Sequence, residues 1–398
     1  MIDKSYVIFT RIEIVKTQSG QVFCDPLWAK DLKLHIGYLS NFQLCCPVVY
    51  SNDVQGLEDI TMYGIKHVFE LRKDYGFVSV VKNLFPNLLV VVKACKGACI
   101  VHSGGAGWAF PLSFYLLLLK PFFSFQWVVV IESSDWMLSK NEKLTVRKFI
   151  NHYIHKVVLS GCLRQADARI FTQSYYRKFF LQEEIVRTLI APATWIDKTN
   201  IVSPEEVKKR YLERKGKMIQ MIFPARLVED KGVFVLFDAI EYLNRMAVNV
   251  QITIMGSGEL EKDCKTFALK KFGNVKVSYR EPVEYGNEFF NVLCRYDVVL
   301  VPNLKEEQPR IVFDAFSQGL GVIASDTSGI LDVTIDGENA VICKRGDSKS
   351  LAKAICFVIE RPELALQMGI SGLSYVGGKT HLQMHLDRQR FFGSVLDI

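Results

Sequence analysis

The sequence predicts an α/β protein built from two Rossmann-like domains that face each other across a cleft. Three observations carry that expectation. Nearly continuous apolar strands alternate with helical stretches, the pattern of a parallel sheet covered on both faces. The pattern restarts after residue 191. The charge is also divided: 22 basic and 15 acidic residues precede residue 191, and 27 of each follow. All of the +7 net charge lies in the first half, which marks that half for an anionic partner. A length of 398 residues suits two domains at about 100–200 residues each.

The first domain, residues 1–190, opens on a strand at 6–9. A polar loop with Ser19 and Gly20 follows, then a helix over about 26–40. Further strands are expected at 47–50, 88–92, 99–101 and 127–131. The most apolar stretch, 109–131, is split by Lys120-Pro121, and neither part reaches the roughly 18–20 residues of a membrane span. It reads as a buried helix followed by a buried strand. The N-terminal residues lead into a run broken by Arg11 and Glu13, unlike a secretory signal. Ten cysteines occur without a paired CxxC framework, the usage of reduced thiols in a cytoplasmic protein.

The second domain, 191–398, begins with an irregular connector at 191–194. Ser203 then reads as an N-cap, with Pro204 at the first helical position. Strands are expected at 218–223, 250–255, 275–279, 298–301 and 322–324. A last helix at about 380–392 is expected to cross back onto the first domain. In sheets of this kind ligands bind at the carboxyl ends of the strands.

Four features lie at those ends. Arg226 and Lys231 follow the strand at 218–223 and place two cations at the mouth of the sheet. Arg binds a diphosphate through paired N–H donors and Lys as a point charge; two solvated loop cations are the plain alternative. Gly256-Ser257-Gly258 lets a backbone approach a nucleotide closely, or makes a tight turn. Glu306 lies in a loop before a helix that Pro309 opens and Gly319 ends, with Gln308 and Arg310 flanking the proline and Asp314 inside the helix. Two carboxylates, which only accept hydrogen bonds, suit sugar hydroxyls, and the helix start suits an anion. The fourth feature is the polar loop Ser325–Ile330, which serves equally as a surface turn.

Residues 217–360 resemble the nucleotide-sugar domain of retaining glycosyltransferases of the GT-B fold, family 4. The resemblance rests on Arg226-Leu227 to Lys231-Gly232, on Gly256-x-Gly258, and on Glu306-x7-Asp314 followed by Ala315, Gly319, Gly321, Val322, Ile323 and Ala324. Asp314 stands where the family has Glu, Gln308-Pro309-Arg310 where it has a small Gly-containing stretch, and Ala225 and Gly321 where it has Gly and Pro. In the first half, Gly20 sits where the family has glycines after strand one. Ala166-Asp167 and Ser174 resemble a late strand, and Val101-His102 resembles a V-H-x-H strand end. Glu132 or Asp135 stands where many members place a His beside the reacting carbon. The resemblance implies a metal-independent hexosyltransferase without cofactor, whose donor is a nucleotide-diphosphate sugar and whose acceptor is a glycan or lipid-linked hydroxyl. It implies that the first domain binds the acceptor, Glu306 the donor sugar, and Asp314 the ribose, with Arg226, Lys231 and the helix at Pro309 neutralising the diphosphate. The departures from the pattern keep a second class open, a non-catalytic member that binds glycan or supports a partner enzyme. A dinucleotide-dependent oxidoreductase lacks the full GxGxxG.

Residues 140–157 form a basic amphipathic helix. Lys140, Lys143, Arg147, Lys148 and Lys156 oppose an apolar stripe of Val146, Phe149, Ile150, Tyr153, Ile154 and Val157. The stripe either packs inward as core or attaches the protein peripherally to anionic lipid. No nucleic-acid motif accompanies the charge. His381-x3-His385 has the spacing of a ligand pair, but no third ligand is visible in the sequence, so no metal site is expected.

Overall fold

The computed structural model describes residues 1–105, 110–133, 136–138, 145–182 and 186–397. The chain divides into two compact units: Met1–Pro192 together with the chain from His385 onward, and Ala193–Met384.

The first unit contains β1 (Tyr6–Phe9), β2 (Ile14–Lys16), β3 (Val22–Cys24), α1 (Pro26–Ile36), β4 (Phe42–Tyr50), β5 (Glu58–Asp59) and β6 (His67–Leu71). They are followed by α2 (Phe77–Cys95), β7 (Ile100–Gly104), α3 (Ser113–Leu119), β8 (Gln126–Ile131), α4 (Val146–Gln165), β9 (Ala168–Phe171), α5 (Ser174–Leu181) and β10 (Thr188–Ile190). The strands form one sheet in the order β10-β9-β8-β7-β1-β4-β2-β3-β5, with β6 also on β4. Pairing is parallel except where β3 meets β2 and β5. Asp25 starts α1 by accepting the Leu27 and Trp28 N–H groups, with Pro26 at the first position.

Residues 88–92, expected as a strand, lie inside the 19-residue helix α2. Parallel β6 and β7 require a crossover, and a helix between Gly76 and Gly97 supplies it despite the β-branched run. The chain moves the same way across the sheet from β6 through α2, β7, α3, β8 and α4 to β9. Right-handed crossovers therefore put α2, α3 and α4 on one face. Val91 and Ala94 of α2, Leu116 of α3, and Leu159 and Leu163 of α4 share one core with Val101, Trp127 and Val129 of the sheet.

The second unit contains α6 (Pro204–Arg214), β11 (Gln220–Pro224), α7 (Val233–Arg245), β12 (Val250–Met255), α8 (Glu261–Ala268), β13 (Val275–Arg280), α9 (Asn287–Leu293), β14 (Val298–Val301) and α10 (Ile311–Ser317). After them come β15 (Gly321–Ser325), α11 (Ser328–Leu331), β16 (Ala340–Cys343), α12 (Ser348–Glu360), α13 (Glu363–Val376) and α14 (His381–Val395), whose residues from His385 belong to the first unit. The sheet is parallel throughout, in the order β13-β12-β11-β14-β15-β16. Ser203 caps α6 by accepting the Glu206 N–H at 3.2 Å. One core, with Phe223, Ile252 and Leu300, covers one face of this sheet; another, with Ile222, Val299 and Phe313, covers the other. Alternate residues of each strand thus point into opposite cores.

Candidate functional site

The order β11-β14-β15-β16 gathers side chains that are far apart in sequence at the carboxyl ends of adjacent strands. Arg226 and Lys231 follow β11; Asn303, Glu306 and Glu307 follow β14; Ser325 ends β15; Arg345 follows β16. The Lys231 ammonium pairs with the Glu307 carboxylate, which also accepts from the Asn303 amide at 2.8 Å. Arg345 donates to Glu306 Oε1 at 2.5 Å, and the Ser328 N–H donates to Glu306 Oε2 at 2.7 Å. Ser325 Oγ donates to the Asn303 carbonyl at 2.6 Å and ties the β14 and β15 ends together. Arg226 is exposed. Three cations and two carboxylates leave this cluster one positive charge in excess. Its cations suit an anionic group and its carboxylates suit hydroxyl donors.

The sequence pointed to Arg226, Lys231 and Glu306 and missed Glu307, Asn303 and Arg345. Glu307 adjoins Glu306, and a polar residue just past a strand was a usable signal for Asn303. Arg345 lies 39 residues beyond Glu306, and only the strand order brings the two together.

Gly256 and Gly258 have φ of +149° and +148°. A Cβ on Gly256 would stand 1.9 Å from the Ala225 carbonyl oxygen, and one on Gly258 would stand 2.6 Å from that of Leu227. The Leu227 N–H donates to the Ser257 carbonyl at 2.8 Å. These glycines therefore let the β12 end pack against the Arg226 loop, a structural demand that exists without any nucleotide.

Pro309 does not occupy the first helical position. It lies two residues before α10, and the chain first tightens through a turn in which the Val312 N–H reaches the Pro309 carbonyl at 3.2 Å. Gln308 Nε2 donates to the same carbonyl at 3.3 Å, while the Arg310 guanidinium lies over the Trp195 ring at 5.1 Å. With seven residues, α10 offers only a short dipole at its start. Gly319 ends the helix at φ +63°, as its position predicted. Asp314 is buried at 4% exposure and accepts from the Tyr285 hydroxyl at 2.8 Å. Burial, reinforced by this carboxylate, holds the Tyr285 pKa well above its ordinary value.

In the first unit, the candidates do not form one cluster. Gly20, at φ +86°, makes the turn of the β2–β3 hairpin. Glu132, exposed just past β8, pairs with Arg388 of α14 at 3.5 Å. Asp135 lies outside the described residues. His102 is not an open strand-end residue. It lies within β7, buried, with Nδ1 3.0 Å from the Tyr6 hydroxyl, and burial pushes its pKa well below the usual histidine value. Its ring is 6.0 Å from that of His35.

His385 of the His381-x3-His385 pair meets two residues of α1. His385 Nε2 meets Asp31 Oδ1 at 2.9 Å, and His35 Nδ1 meets Asp31 Oδ2 at 3.2 Å. Asp31, His35 and His385 thus offer three ligand atoms within 4.8 Å of one another. Asp31 and His35 share a face of α1 four residues apart; they lie more than 340 positions from His385, a separation at which spacing carries no signal. The Arg388 positive charge acts on the same cluster and opposes a further cation there.

Residues 204–373 match the family described as glycosyl transferases group 1. An uncharacterised glycosyltransferase of Methanocaldococcus jannaschii is 22% identical over 281 residues, covering 70% of this chain and 71% of that one. The amylovoran biosynthesis glycosyltransferase AmsK of Erwinia amylovora is 27% identical over 199 residues, 44% of this chain and 48% of that one. The chain thus spans about half the length of the Erwinia relative. The crystal structure of HepE of Anabaena in complex with UDP superposes with a TM-score of 0.66 at 14% identity, covering 98% of this chain and 100% of that one. The segment 204–373 therefore matches the group 1 glycosyl transferases, and the chain has the GT-B fold of two Rossmann-like units that the HepE structure shares.

Proposed function

We propose that the protein is a retaining hexosyltransferase that moves a sugar from a nucleotide-diphosphate donor to a hydroxyl of a glycan or lipid-linked acceptor. The observation that carries this reading is the cluster of Arg226, Lys231, Arg345 and Glu306 at the carboxyl ends of β11, β14 and β16. Breaking the bond between the sugar's anomeric carbon and the diphosphate leaves negative charge on the leaving oxygen. Arg226 and Lys231 stabilise that charge as it develops, and Lys231 exchanges Glu307 for the diphosphate to do so. Glu306, oriented by Arg345 and the Ser328 N–H, accepts hydrogen bonds from donor-sugar hydroxyls. The acceptor oxygen attacks on the face from which the diphosphate departs and passes its proton to the leaving phosphate oxygen. Configuration is thereby retained. Side-chain cations perform the neutralisation, so the reaction proceeds without a divalent metal. In this reading the protein works in the cytoplasm, and Asp314 turns from Tyr285 to meet the ribose.

UDP in the HepE complex puts uridine donors first among those to test, and the polysaccharide role named for the Erwinia relative supports a glycan acceptor. The experiment is a thermal-shift panel of UDP, GDP, ADP, dTDP, their sugars and NAD, each with and without magnesium. A ligand at 100 times its dissociation constant adds about 2.7 kcal/mol. A magnesium-independent shift by one diphosphate family is expected. A shift by NAD alone, or one that requires magnesium, refutes the donor assignment. No shift with any nucleotide favours the non-catalytic glycan-binding reading.

A further inference from the structure

Helix α4 does not turn its sequence-marked stripe inward. Its buried residues are His155, Val158, Leu159, Cys162 and Leu163. Val146, Phe149, Ile150, Tyr153, Ile154 and Val157 are all exposed, Val157 at 67%. Residues 140–144, which would extend the basic run, lie outside the described residues. Helix α2 repeats the arrangement without having been expected as a helix. Val80, Asn87, Val91 and Ala94 face the core, while Phe77, Val78, Val81, Phe85 and Leu89 face solvent, Phe85 at 72%. Residues 77, 81, 85 and 89 recur every four positions and form one stripe. Between the two helices, Leu118 of α3 and Phe122 just after it are exposed as well. All three helices bury their inner sides in the same core, so their outer sides look the same way. Monomeric soluble proteins rarely expose large apolar patches, and stripes of exposed aromatic and branched side chains on neighbouring helices mark an interaction site.

The charge around the stripes selects the partner. Helix α2 carries Lys82 and Lys93, and α4 carries Arg147, Lys148, Lys156 and Arg164; neither helix has an acidic residue. A second copy of this face would set like charges against each other, whereas an anionic bilayer complements both the lysines and the apolar stripes. Long basic side chains beside an apolar stripe can lay their stems on it and keep their charge among phosphate headgroups. Helix α2 has the length and apolar composition to cross a membrane, with a mean hydropathy of 1.5 over its best window. Its inner face is nevertheless packed in the unit's core, and Asn83 and Asn87 bond to the 72–74 segment. The arrangement is that of a helix lying on a membrane.

We propose that the outer faces of α2 and α4 together form a docking surface for the anionic surface of a phospholipid bilayer. The surface acts independently of the transferase reading, because binding requires neither donor nor turnover. The test is co-sedimentation of the full chain with vesicles of phosphatidylcholine alone and of phosphatidylcholine mixed with phosphatidylglycerol. Two variants alter one helix each: Val81→Ser with Phe85→Ser, and Phe149→Ser with Ile150→Ser. All four positions are exposed, so folding should persist, and circular dichroism checks it. Binding at least tenfold stronger to the phosphatidylglycerol vesicles is expected, weakened by salt. Each double variant should lose at least tenfold. Equal binding to both vesicle types, no binding, or loss through α4 alone overturns the two-helix surface. A wild-type dimer that the α2 variant dissociates would reassign the face to contact between copies.

Discussion

Acidification should loosen the seat of α14 in the first unit, and the sign of the effect tests how its histidines are held. His385 lies 2.9 Å from Asp31, a distance equally suited to a charged pair and to a neutral ring donating to a carboxylate. Burial decides for the neutral ring. It lowers the His385 pKa to about 3, assisted by His35 and Arg388, with Asp31 acting in the opposite direction. His102 is lowered as well by burial, and the groups facing it are His35, Arg388, Asp31 and His385. Tyr6 and Tyr38 complete the surroundings. In the unfolded chain a histidine titrates near about 6.5. Below that pH the unfolded chain binds protons that the folded one excludes, so stability is present above about pH 6.5 and lost as the pH falls. Each such histidine contributes a slope of up to about 1.4 kcal/mol per pH unit. From pH 6.5 to 5 His385 therefore withdraws about 2 kcal/mol, and His102 acts in the same direction, against a typical domain stability of about 5–15 kcal/mol. The assay is urea unfolding between pH 8 and 5, followed by tryptophan fluorescence, to which Trp127 in this unit's core contributes. His385→Gln keeps an amide donor toward Asp31 but cannot titrate in this range. It should lower the slope by about 1.4 kcal/mol per pH unit. An unchanged slope in the variant, or wild-type stability that rises on acidification from pH 8 to 6, would refute the neutral-histidine account.

Other perturbations separate binding from folding in the second unit. Lys231→Ala should weaken nucleotide-diphosphate binding by about 10–100-fold in calorimetry, with an unchanged far-ultraviolet spectrum, because it removes one charge-assisted contact; near-wild-type affinity would remove Lys231 from the donor site. Gly256→Ala would force a methyl to within 1.9 Å of the Ala225 carbonyl oxygen, and should cost several kcal/mol or prevent folding of the unit. Gly286→Ala is its control: φ there is +139° but nothing lies within 4 Å, so only backbone strain of about 1–2 kcal/mol applies, and equal midpoints in denaturant for the two variants would contradict the packing argument. Tyr285→Phe withdraws a donor from the buried Asp314 carboxylate and should destabilise by about 1–3 kcal/mol in urea titration.

Much of this molecule was legible because parallel sheets write themselves into sequence. Strands buried on both faces are unbroken apolar runs, and β12 and β14 occupy the residues expected of them. Caps with local chemistry, such as Ser203-Pro204, were equally plain. Where local signals competed, tertiary context prevailed. The run at 88–92 has strand propensity, yet the crossover from β6 to β7 makes it helix. The stripe of α4 has helical spacing, but periodicity reports that an apolar face exists and is silent on whether protein covers it.

The same division holds at the candidate site. The sequence by itself determined the residues whose chemistry follows a strand end within a few positions: Arg226, Lys231, Glu306 and the glycines at 256 and 258. It also determined the alternation that makes each half an α/β unit. Only the tertiary structure decided that Lys231 pairs with Glu307 and Glu306 with Arg345. Only it decided that Asp314 is buried against Tyr285, and that Asp31 and His35 meet His385. Those contacts join residues separated by 29 to 354 positions. Local pattern is set by the backbone's own periodicity. Which distant side chains meet is set by strand order and crossover path, and these follow from how whole elements bury their apolar faces together.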